Sequence, residues 1–485
     1  MSLKSVTEKF INKLKKDLSP GVVSTVPDQY LSEPRSRWRG ISPILMSPAN
    51  VKEVSTILSS ANSENIPIIP YGGGTGLVGG QIQDRGPAGI LLSLKRMNKI
   101  RYLNSEENVI TVEAGVILSD LRSAAEKEER VFPLSLASEG TAQIGGNLAT
   151  NAGGLNVLRY GSTRSLCLGL EVVFADGSIW NGLSRLHKDN TGYDLKNLVI
   201  GSEGTLGIIT AATMKLFSKP KDRSVALIAV GSPKDALRLL SEAKDYFGET
   251  ISAFELINKM GIQFLKETGL NFKFPLSAIP EWMVLLEIGH PVRFGTEKNI
   301  NDFFENILSS SLALDGALAE NMRQQNDLWA IRENIPEANR RIGSVSSHDI
   351  SLPLSEVSDF VEQARLEISK LGQFRINCFG HLGDGNLHFN IFPEKGNNRE
   401  IYNDIRPTVK TVIHDLVHKY GGSVSAEHGI GRLKTNDLIK YSDPIKLKFN
   451  NSIKKAMDPN GILNPGVIFE TNYCCLLYTS PSPRD

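Results

Sequence analysis

Cysteine is scarce in this sequence, with four residues among 485. Cys474 and Cys475 lie in an atypical closing stretch, so that only Cys167 and Cys378 belong to the part expected to fold. A disulfide framework and a cysteine-ligated metal cluster are therefore excluded. The same scarcity makes the cytoplasm the expected compartment.

An excess of either charge is also missing, because 54 basic residues oppose 53 acidic ones and the formal net charge is +1. A bulk electrostatic attraction to nucleic acid or anionic lipid is therefore not expected. No run of about eighteen apolar residues occurs, so no transmembrane helix is predicted. The first residues carry lysines where a signal peptide would be apolar, and Val6, Phe10, Leu14 and Leu18 instead predict a short amphipathic helix.

The chain is longer than one hydrophobic core usually organises, and its composition, 40% hydrophobic and 22% charged, is typical of a folded protein. Glycine density falls near Lys219-Pro220-Lys221-Asp222 and longer helical periods begin there, which indicates a domain boundary. We expect an N-terminal helical segment over 1–34, domains over 35–218 and 219–430, and a C-terminal helical segment over 431–470. Residues 471–485, TNYCCLLYTSPSPRD, resemble translated sequencing-adaptor read-through and are treated as a non-native tail.

Several local elements can be predicted in the first half of the chain. These are a helix after Ser47-Pro48, a strand over Ile66–Ile69, a strand over Val109–Val112, a helix over Leu118–Lys127, and a hairpin over Leu168–Ile179 that turns at Asp176-Gly177.

A glycine-rich loop, PYGGGTGLVGG, covers Pro70–Gly80 and contains the spacing G-x-G-x-x-G. A Rossmann interpretation requires a helix directly after the loop and an acidic residue about twenty positions later. The loop continues instead into further glycines, and no acidic residue lies between Asp84 and Glu106. The Rossmann interpretation therefore fails. A loop of this kind can bind an anion through its backbone N–H groups, although a glycine cluster taken alone is more often a surface turn.

Two further loops of small residues follow, over Ser138–Gly154 and Gly201–Ile208. Taken in order, PYGGGTGL, IGGNLATNAGG followed by Arg159-Tyr160-Gly161, and GSEGTLGI resemble the FAD-binding loops of the vanillyl-alcohol-oxidase and p-cresol-methylhydroxylase type flavoproteins. The resemblance implies an α+β protein with a two-part FAD-binding domain over 35–218, followed by a second α+β substrate (cap) domain. It implies FAD binding by Gly72, Gly73, Gly74, Thr75, Gly76, Ser138, Gly145, Asn147, Thr150, Asn151, Gly153, Gly201, Glu203, Gly204 and Ile208.

Some members of that family attach FAD through a histidine in or just beyond the first loop. This sequence has no histidine before His187, so the common histidyl attachment is not available. We expect FAD to be bound non-covalently.

Histidine is rare, with eight residues in the chain, but three lie in two short glycine-flanked segments. GHLGDGNLHFN places His381 and His388 on either side of a turn, and SAEHGIG supplies Glu427 and His428. Two histidines and a carboxylate suit a divalent metal that also accepts substrate oxygens. A single histidine is more often a satisfied core or surface residue, whereas this clustering favours a metal site.

The same two segments resemble the signatures of the branch that holds D-lactate dehydrogenases, D-2-hydroxyglutarate dehydrogenases and the glycolate oxidase flavin subunit. By this resemblance His381, His388 and Glu427 are metal ligands, with zinc the expected ion, and His428 is the catalytic base. A bound metal would acidify the substrate hydroxyl and keep His428 unprotonated. Adjacent strand residues face opposite sides, so an irregular backbone before Gly429 is needed to bring Glu427 and His428 to one site.

The segment LWAIRENI resembles the family helix whose arginine binds a substrate carboxylate, and Arg332 is the matching residue. The alternative is a solvated helix arginine. Asn390 is a second substrate-binding residue by the same resemblance. The 2-hydroxyglutarate pattern has a lysine where this chain has Ser347 and a threonine where it has Pro336. D-2-hydroxyglutarate, D-lactate and other D-2-hydroxy acids therefore stay open as substrates, and His348 is a candidate replacement for the lysine.

Three functions remain in competition. The first is an FAD- and metal-dependent dehydrogenase that passes electrons to an external acceptor, either an electron-transfer protein or a membrane quinone system to which the protein would be peripheral. The second is a flavin oxidase that uses oxygen on glycolate-like acids, and the third is a non-catalytic flavin- and metal-binding scaffold. No haem site or cysteine cluster offers an internal electron route. The sequence leaves the oligomeric state open, with a homodimer as one candidate.

Overall fold

The structure, a computed structural model, describes residues 2–290 and 296–470, and these separate into two units. The first unit contains residues 2–153, 162–219 and 428–470, and the second contains residues 154–161 and 220–427. The chain thus leaves the first unit for eight residues, beginning at Gly154, the last residue of the second predicted FAD loop. It returns to the first unit between Glu427 and His428.

The strands are, in chain order, β1 (Val23–Ser24), β2 (Ile44–Met46), β3 (Ile68–Tyr71), β4 (Ile90–Ser93), β5 (Ile100–Asn104), β6 (Val109–Glu113), β7 (Arg130–Val131), β8 (Cys167–Val173), β9 (Ile179–Gly182), β10 (Ile208–Lys215), β11 (Phe217–Ser218), β12 (Asp222–Val230), β13 (Ile251–Asn258), β14 (Trp282–His290), β15 (Asp315–Leu318), β16 (Ser346–Ser351), β17 (Phe374–His381) and β18 (Asn386–Pro393).

The α-helices are, in chain order, α1 (Glu8–Leu14), α2 (Val51–Glu64), α3 (Leu118–Lys127), α4 (Ile144–Thr150), α5 (Val157–Tyr160), α6 (Thr163–Leu166), α7 (Leu195–Val199), α8 (Pro233–Phe247), α9 (Lys259–Glu267), α10 (Thr296–Ser309), α11 (Met322–Glu333), α12 (Ile335–Ile342), α13 (Val357–Ser369), α14 (Arg406–Lys419), α15 (Thr435–Tyr441) and α16 (Pro444–Met457). None of the described helices is long and apolar enough to cross a bilayer.

The first unit is built on two main sheets. One has the order β1-β2-β4-β3, in which β4 pairs in parallel with both β2 and β3. The other has the order β5-β6-β10-β8-β9 and is antiparallel throughout. Strand β4 is central in its sheet and all four of its residues are buried, as expected for a parallel strand covered on both faces.

Helix α2 shows how the sequence sets local structure in this unit. The side chain of Asn50 caps its first turn by accepting the N–H of Glu53, and Asn65 ends it in the left-handed conformation, with φ at 58°. Both are positions where asparagine is favoured. The buried side of α2, including Val54, Ile57 and Leu58, packs into the core that also contains β3 and β4.

The second unit is organised around one seven-stranded antiparallel sheet with the order β15-β12-β14-β13-β17-β18-β16. Residues of α9, α11 and α12 pack on one face of it, where Phe264, Leu328 and Ile335 join Met283 and Leu285 of β14 in a single core. Strands β13 and β14 are buried along their whole length. A carboxylate within either strand therefore requires a partner.

The predicted α+β class is confirmed, and the predicted local elements are largely confirmed. The helix over Leu118–Lys127 is α3, the strand over Val109–Val112 is β6, and the predicted hairpin is β8–β9 with its turn at Gly177 in the left-handed region. The strand predicted over Ile66–Ile69 is shifted, because β3 begins at Ile68 and runs to Tyr71. The prediction for residues 471–485 lies outside the described residues.

Candidate active site

A cavity of about 1060 Å³, partly open to solvent, lies in the first unit. This volume includes space that is open to solvent. Twelve of the predicted site residues line it, namely Gly72, Gly73, Gly74, Thr75, Gly76, Gly145, Asn147, Thr150, Glu203, Gly204, Ile208 and His428.

The glycines of these loops are required by close approach of the backbone. A Cβ at Gly73 would lie 2.1 Å from the carbonyl oxygen of Thr141, and one at Gly145 would lie 2.7 Å from Cβ of Ala114. A Cβ at Gly204 would lie 2.4 Å from Pro70, and its φ is +71°. The three loops can therefore pack around one cavity only because these side chains are absent.

Four of the residues predicted to bind FAD lie outside the cavity lining. They are Ser138, Asn151, Gly153 and Gly201. Asn151 ends α4 in the left-handed region and its side chain accepts the N–H of Arg164, while Gly201 donates its N–H to the carbonyl of Leu148. Asn151 and Gly201 therefore connect the loops to neighbouring segments of the chain.

Other lining residues were not singled out from the sequence. They are Pro70, Tyr71, Val78, Gly80, Gln81, Leu92, Leu94, Ala114, Ala142, Gln143, Gly146, Ala149, Ser202, Gly207, Ile209 and Asn464. Most are neighbours of predicted residues within the same motifs. Asn464 comes from the segment DPNGILNPG, almost at the end of the described chain, and its Nδ2 donates to the carbonyls of Gly80 and Glu203.

The first glycine loop of the lining can bind the anionic part of a ligand through its backbone. No lysine or arginine is among the residues that line the cavity in the described chain, so backbone N–H groups would have to bind the anion. The backbone N–H groups of residues 72–76 donate no hydrogen bond within the described residues. Consecutive N–H groups of this kind form a concave anion site, which suits a pyrophosphate. Three buried polar atoms of the lining, Asn147 Oδ1, Ser202 Oγ and Asn464 Oδ1, also lack a partner in the described part.

A second group of predicted residues meets in the second unit. The strands β17 and β18 form a hairpin, which places the rings of His381 and His388 with centroids 5.5 Å apart. One ligand atom each of His381, His388 and Glu427 lies within 4.8 Å of the others. Nε2 of His381 is 3.8 Å from Oε1 of Glu427. The two imidazoles and one carboxylate form a donor set suited to a divalent cation.

Glu255 of β13 orients His381. Its Oε1 lies 2.7 Å from Nδ1 of His381, and its Oε2 accepts the Nε–H of Arg332 at 2.8 Å. Burial pushes the pKa of Glu255 upward, but the charges of His381 and Arg332 outweigh burial and hold this pKa at about 2. With Nδ1 occupied, His381 has Nε2 available as a ligand, which is the arrangement usual for metal-binding histidines.

Asp349 of β16 anchors the segment that carries Glu427. Its Oδ2 accepts the N–H of Glu427 at 3.0 Å, while its Oδ1 accepts Nδ2 of Asn386 at 3.0 Å and lies 3.8 Å from Nδ1 of His388. The N–H of Gly154 donates to Oε1 of Glu427. Glu427 is thus held through its backbone and its side chain.

Arg332, in α11, is 4% exposed, which excludes the solvated arginine considered from the sequence. Its guanidinium lies over the ring of Phe379, with 4.7 Å to the centroid. Only Nε is hydrogen-bonded within the described chain, so both Nη groups are available to a carboxylate. Asn390 is buried, pairs with Ser347 across the strands, and accepts the N–H of His348 through Oδ1.

The structure also describes the two residues that differ from the 2-hydroxyglutarate pattern. Ser347 is exposed and its hydroxyl lies 2.7 Å from that of Ser344, while Pro336 occupies the first turn of α12. His348 follows Ser347 on β16 and therefore points to the opposite face of the sheet, where its ring packs against His414. The role of His348 as a replacement for the lysine stays a prediction.

His428 lines the cavity of the first unit. The backbone around it is irregular, and Gly429 has a φ of +78°. The carboxylate of Glu203 accepts the N–H groups of Ile430 and Gly431 at 2.7 and 2.8 Å. Burial raises the pKa of Glu203 to about 7, although these hydrogen bonds and the charge of Lys434 lower it. The irregular backbone expected beside Gly429 is therefore present.

The chain is similar to known protein families and to solved structures. The family described as FAD linked oxidases, C-terminal domain, matches residues 219–468, and the FAD binding domain family matches residues 43–182. Among solved structures, p-cresol methylhydroxylase superposes with a TM-score of 0.74 at 18% identity, covering 97% of this chain and 99% of that one. At this identity the likeness shows the fold alone.

Relatives of higher identity cover most of the chain. D-2-hydroxyglutarate dehydrogenase of Danio rerio is 38% identical, over 92% of this chain and 83% of that protein. The Arabidopsis thaliana enzyme of the same name is 36% identical, over 88% of this chain and 75% of its own length. A putative D-lactate dehydrogenase of Schizosaccharomyces pombe is 35% identical, over 89% and 82%.

The expectation of a cytoplasmic protein is wrong, because these three relatives are all named mitochondrial. Scarce cysteine and a balanced charge are compatible with more than one compartment, so composition could not distinguish them. The domain matches and the relatives together establish the family and the cofactor. The chain belongs to the FAD-linked oxidases, in the branch of D-2-hydroxyglutarate and D-lactate dehydrogenases, and is an FAD-dependent oxidoreductase that acts on CH–OH donors.

Proposed function

We propose that this protein is a metal-assisted dehydrogenase that oxidises a D-2-hydroxy acid to the 2-oxo acid and passes the electrons to an external acceptor. The observation that carries the proposal is the group formed by His381, His388 and Glu427, in which Glu255 and Asp349 fix the orientation of the ligands. Buttressing carboxylates of this kind are usual around functional metals. They argue against a non-catalytic scaffold, which has no need of an oriented ligand set.

The chain's own residues divide the chemical work. His381, His388 and Glu427 would hold a divalent cation, with zinc the best fit to two imidazoles and one carboxylate. With a cation held there, these three residues would supply Lewis-acid polarisation of the substrate hydroxyl. Arg332 binds the carboxylate of the substrate through its Nη groups, and Asn390 contributes a polar contact on the neighbouring strand. His428 removes the hydroxyl proton as a general base.

Because Glu427 and His428 are consecutive, their Cα atoms are about 3.8 Å apart. The peptide bond between them thus joins the ligand to the base. The residues that line the cavity with His428 would hold the isoalloxazine of FAD, which would supply the acceptor for the hydride of the substrate. Gly72 to Gly76 would hold the pyrophosphate through backbone N–H groups, and the remaining predicted loop residues would complete the site.

We propose that FAD is bound non-covalently. No cysteine lines the cavity, and His428 is the sole histidine of its lining among the described residues. Since His428 is assigned as the base, no histidine or cysteine of the lining is left for a covalent attachment. Acid precipitation of the protein should release all the flavin into the supernatant, whereas flavin that stays with the pellet would contradict this assignment.

The substrate is proposed to be D-2-hydroxyglutarate, which is the substrate in the names of relatives at 36–38% identity. Ser347 in place of the lysine removes one charge-assisted partner for a distal carboxylate, so D-lactate is the competing substrate. The external acceptor is proposed to be an electron-transfer protein or a quinone system, and the location is proposed to be mitochondrial, as for the relatives. A homodimer stays a prediction, to be tested by light scattering.

The decisive experiment is anaerobic reduction of the purified protein's flavin by D- and L-lactate, D- and L-2-hydroxyglutarate, D- and L-malate, and glycolate. Bleaching by one D-acid, lost on chelation and restored by zinc, is the expected result and identifies the substrate. A protein whose flavin no acid reduces would refute the substrate class. Fast reoxidation of the reduced flavin by oxygen would replace the dehydrogenase proposal with an oxidase.

A further inference from the structure

Glu203 was predicted to bind FAD because of its motif, but its side chain is hydrogen-bonded to the backbone of the protein. It is 7% exposed, and its two carboxylate oxygens accept the N–H groups of Ile430 and Gly431. Its backbone is fixed as well, since its N–H donates to Ala149 and its carbonyl accepts Nδ2 of Asn464. Its φ is +51°, a conformation that an L-residue adopts only where the surroundings impose it.

The turn that follows His428 is shaped around this carboxylate. A Cβ at Gly429 would lie 2.7 Å from Oε1 of Glu203, and φ at Gly429 is +78°. A Cβ at Gly431 would lie 2.2 Å from the carbonyl oxygen of Val78, which accepts the N–H of Arg432. The turn is therefore held by Glu203 on one side and by Val78 on the other. The first N–H that Glu203 binds is two residues after His428.

We propose that Glu203 is a positioning residue for His428, and that it sets the place of the imidazole in the cavity by fixing the turn over residues 429–431. This inference rests on the proposed function, in which His428 takes the proton of the substrate hydroxyl. Displacement of a reacting group by about 1 Å can slow catalysis roughly a hundredfold. A carboxylate that fixes the adjacent backbone therefore acts on the rate of the reaction without contacting the substrate.

The test compares Glu203→Gln with the unaltered full-length protein, each loaded with FAD and zinc. The glutamine keeps the size of the side chain but presents one acceptor and one NH₂ to two N–H groups, so one of them loses its partner. The expected result is a roughly 10- to 100-fold fall in the rate constant of anaerobic flavin reduction at saturating substrate. Flavin content, zinc content and the substrate dissociation constant should stay within about twofold.

A matched control is Glu113→Gln, in the same unit. Glu113 is also 7% exposed and accepts the N–H of Lys99 and the Nε–H of Arg101, but it does not line the cavity. The variant Glu113→Gln should leave the rate constant of flavin reduction unchanged. If Glu203→Gln does not fold, Gly429→Ala provides the same displacement with the carboxylate intact, because its Cβ would meet Oε1. The same fall in rate is expected for it.

The variant His428→Ala distinguishes the positioning role of Glu203 from the proposed function of the protein. In that background Glu203→Gln should have no further effect, because both changes remove one function. An unchanged rate in Glu203→Gln, with a large loss in His428→Ala, would overturn the positioning role and leave the proposed function intact. An unchanged rate in His428→Ala would instead refute the proposed function. Loss of flavin from Glu203→Gln would show that the carboxylate serves the cofactor, and would also overturn the positioning role.

Discussion

Oε1 of Glu255 lies 2.7 Å from Nδ1 of His381, and both side chains are buried. The pair is separated by 126 residues in the chain and joins neighbouring strands, β13 and β17, in the register Glu255 to His381. The sheet therefore brings Glu255 to Nδ1 of His381, while Nε2 of His381 lies 3.8 Å from Oε1 of Glu427.

Glu255→Gln should weaken zinc binding by roughly 10- to 100-fold, the range usual for the loss of a carboxylate behind a metal-binding histidine. The flavin should be retained, because the cavity belongs to the first unit. Competition with a chromophoric chelator measures the affinity. Glu287→Gln is the control, since Glu287 is a buried carboxylate of the same sheet that binds Trp329. Equal zinc affinity in all three proteins would remove Glu255 from the metal site.

Arg332→Lys should raise the substrate dissociation constant by about 10- to 100-fold, because a hydrogen bond to a charged group contributes about 1.5–3 kcal/mol. Lysine keeps the charge beside Glu255 but loses the planar fork that binds a carboxylate through two N–H groups. Titration of the flavin spectrum with the product 2-oxo acid measures this constant. Arg323→Lys, an exposed change on the same helix, should have no effect. If Arg332→Lys changes the zinc affinity but leaves the dissociation constant of the 2-oxo acid unchanged, Arg332 acts only through Glu255.

Local patterns in the sequence are enough for the parts of the site that lie close together in the chain. The hairpin that carries His381 and His388 follows from glycine and asparagine at its turn, and α3 follows from its apolar periodicity. The glycine loops likewise identify eleven residues of the cavity lining. Each of these features is decided by a few consecutive residues.

Glu255 could not be assigned in this way, because its partners are distant in the chain. Its strand, ISAFELIN, is apolar apart from its ends and this one carboxylate, and a carboxylate in such a run must be paired. That signal shows that a partner exists but does not identify it. The neighbours of His348 could not be assigned for a similar reason, because the contacts of a strand residue depend on the register of the sheet.

Gly73→Ala should yield a protein with little flavin, because the added Cβ would lie 2.1 Å from the carbonyl oxygen of Thr141 and would force two loops of the cavity apart. Gly140→Ala is the matched control, since a Cβ there would meet nothing within 4 Å. The ratio of flavin to protein absorbance measures the effect. A Gly73→Ala protein with full flavin content and an unchanged spectrum would contradict the assignment of this loop to the cofactor.

The pH dependence of stability should differ between the unaltered protein and Glu203→Gln. Burial raises the pKa of Glu203 from its ordinary value of 4.5 to about 7, so the folded state keeps a proton that the unfolded state releases. The contribution of Glu203 to the free energy of unfolding is fully present below pH 4.5 and is lost as the pH rises through about 7. Between pH 5 and 8 the unaltered protein should therefore lose up to about 3 kcal/mol relative to Glu203→Gln.

Fluorescence of released FAD reports unfolding of the first unit and avoids treating the whole chain as one transition. Midpoints measured for both proteins at pH 5, 6, 7 and 8 should converge, or cross in favour of Glu203→Gln, as the pH rises. A constant difference would mean that Glu203 is ionised throughout, because the N–H groups of Ile430 and Gly431 then stabilise the carboxylate more than burial destabilises it. The turn after His428 would in that case be held by a charged group at every pH tested.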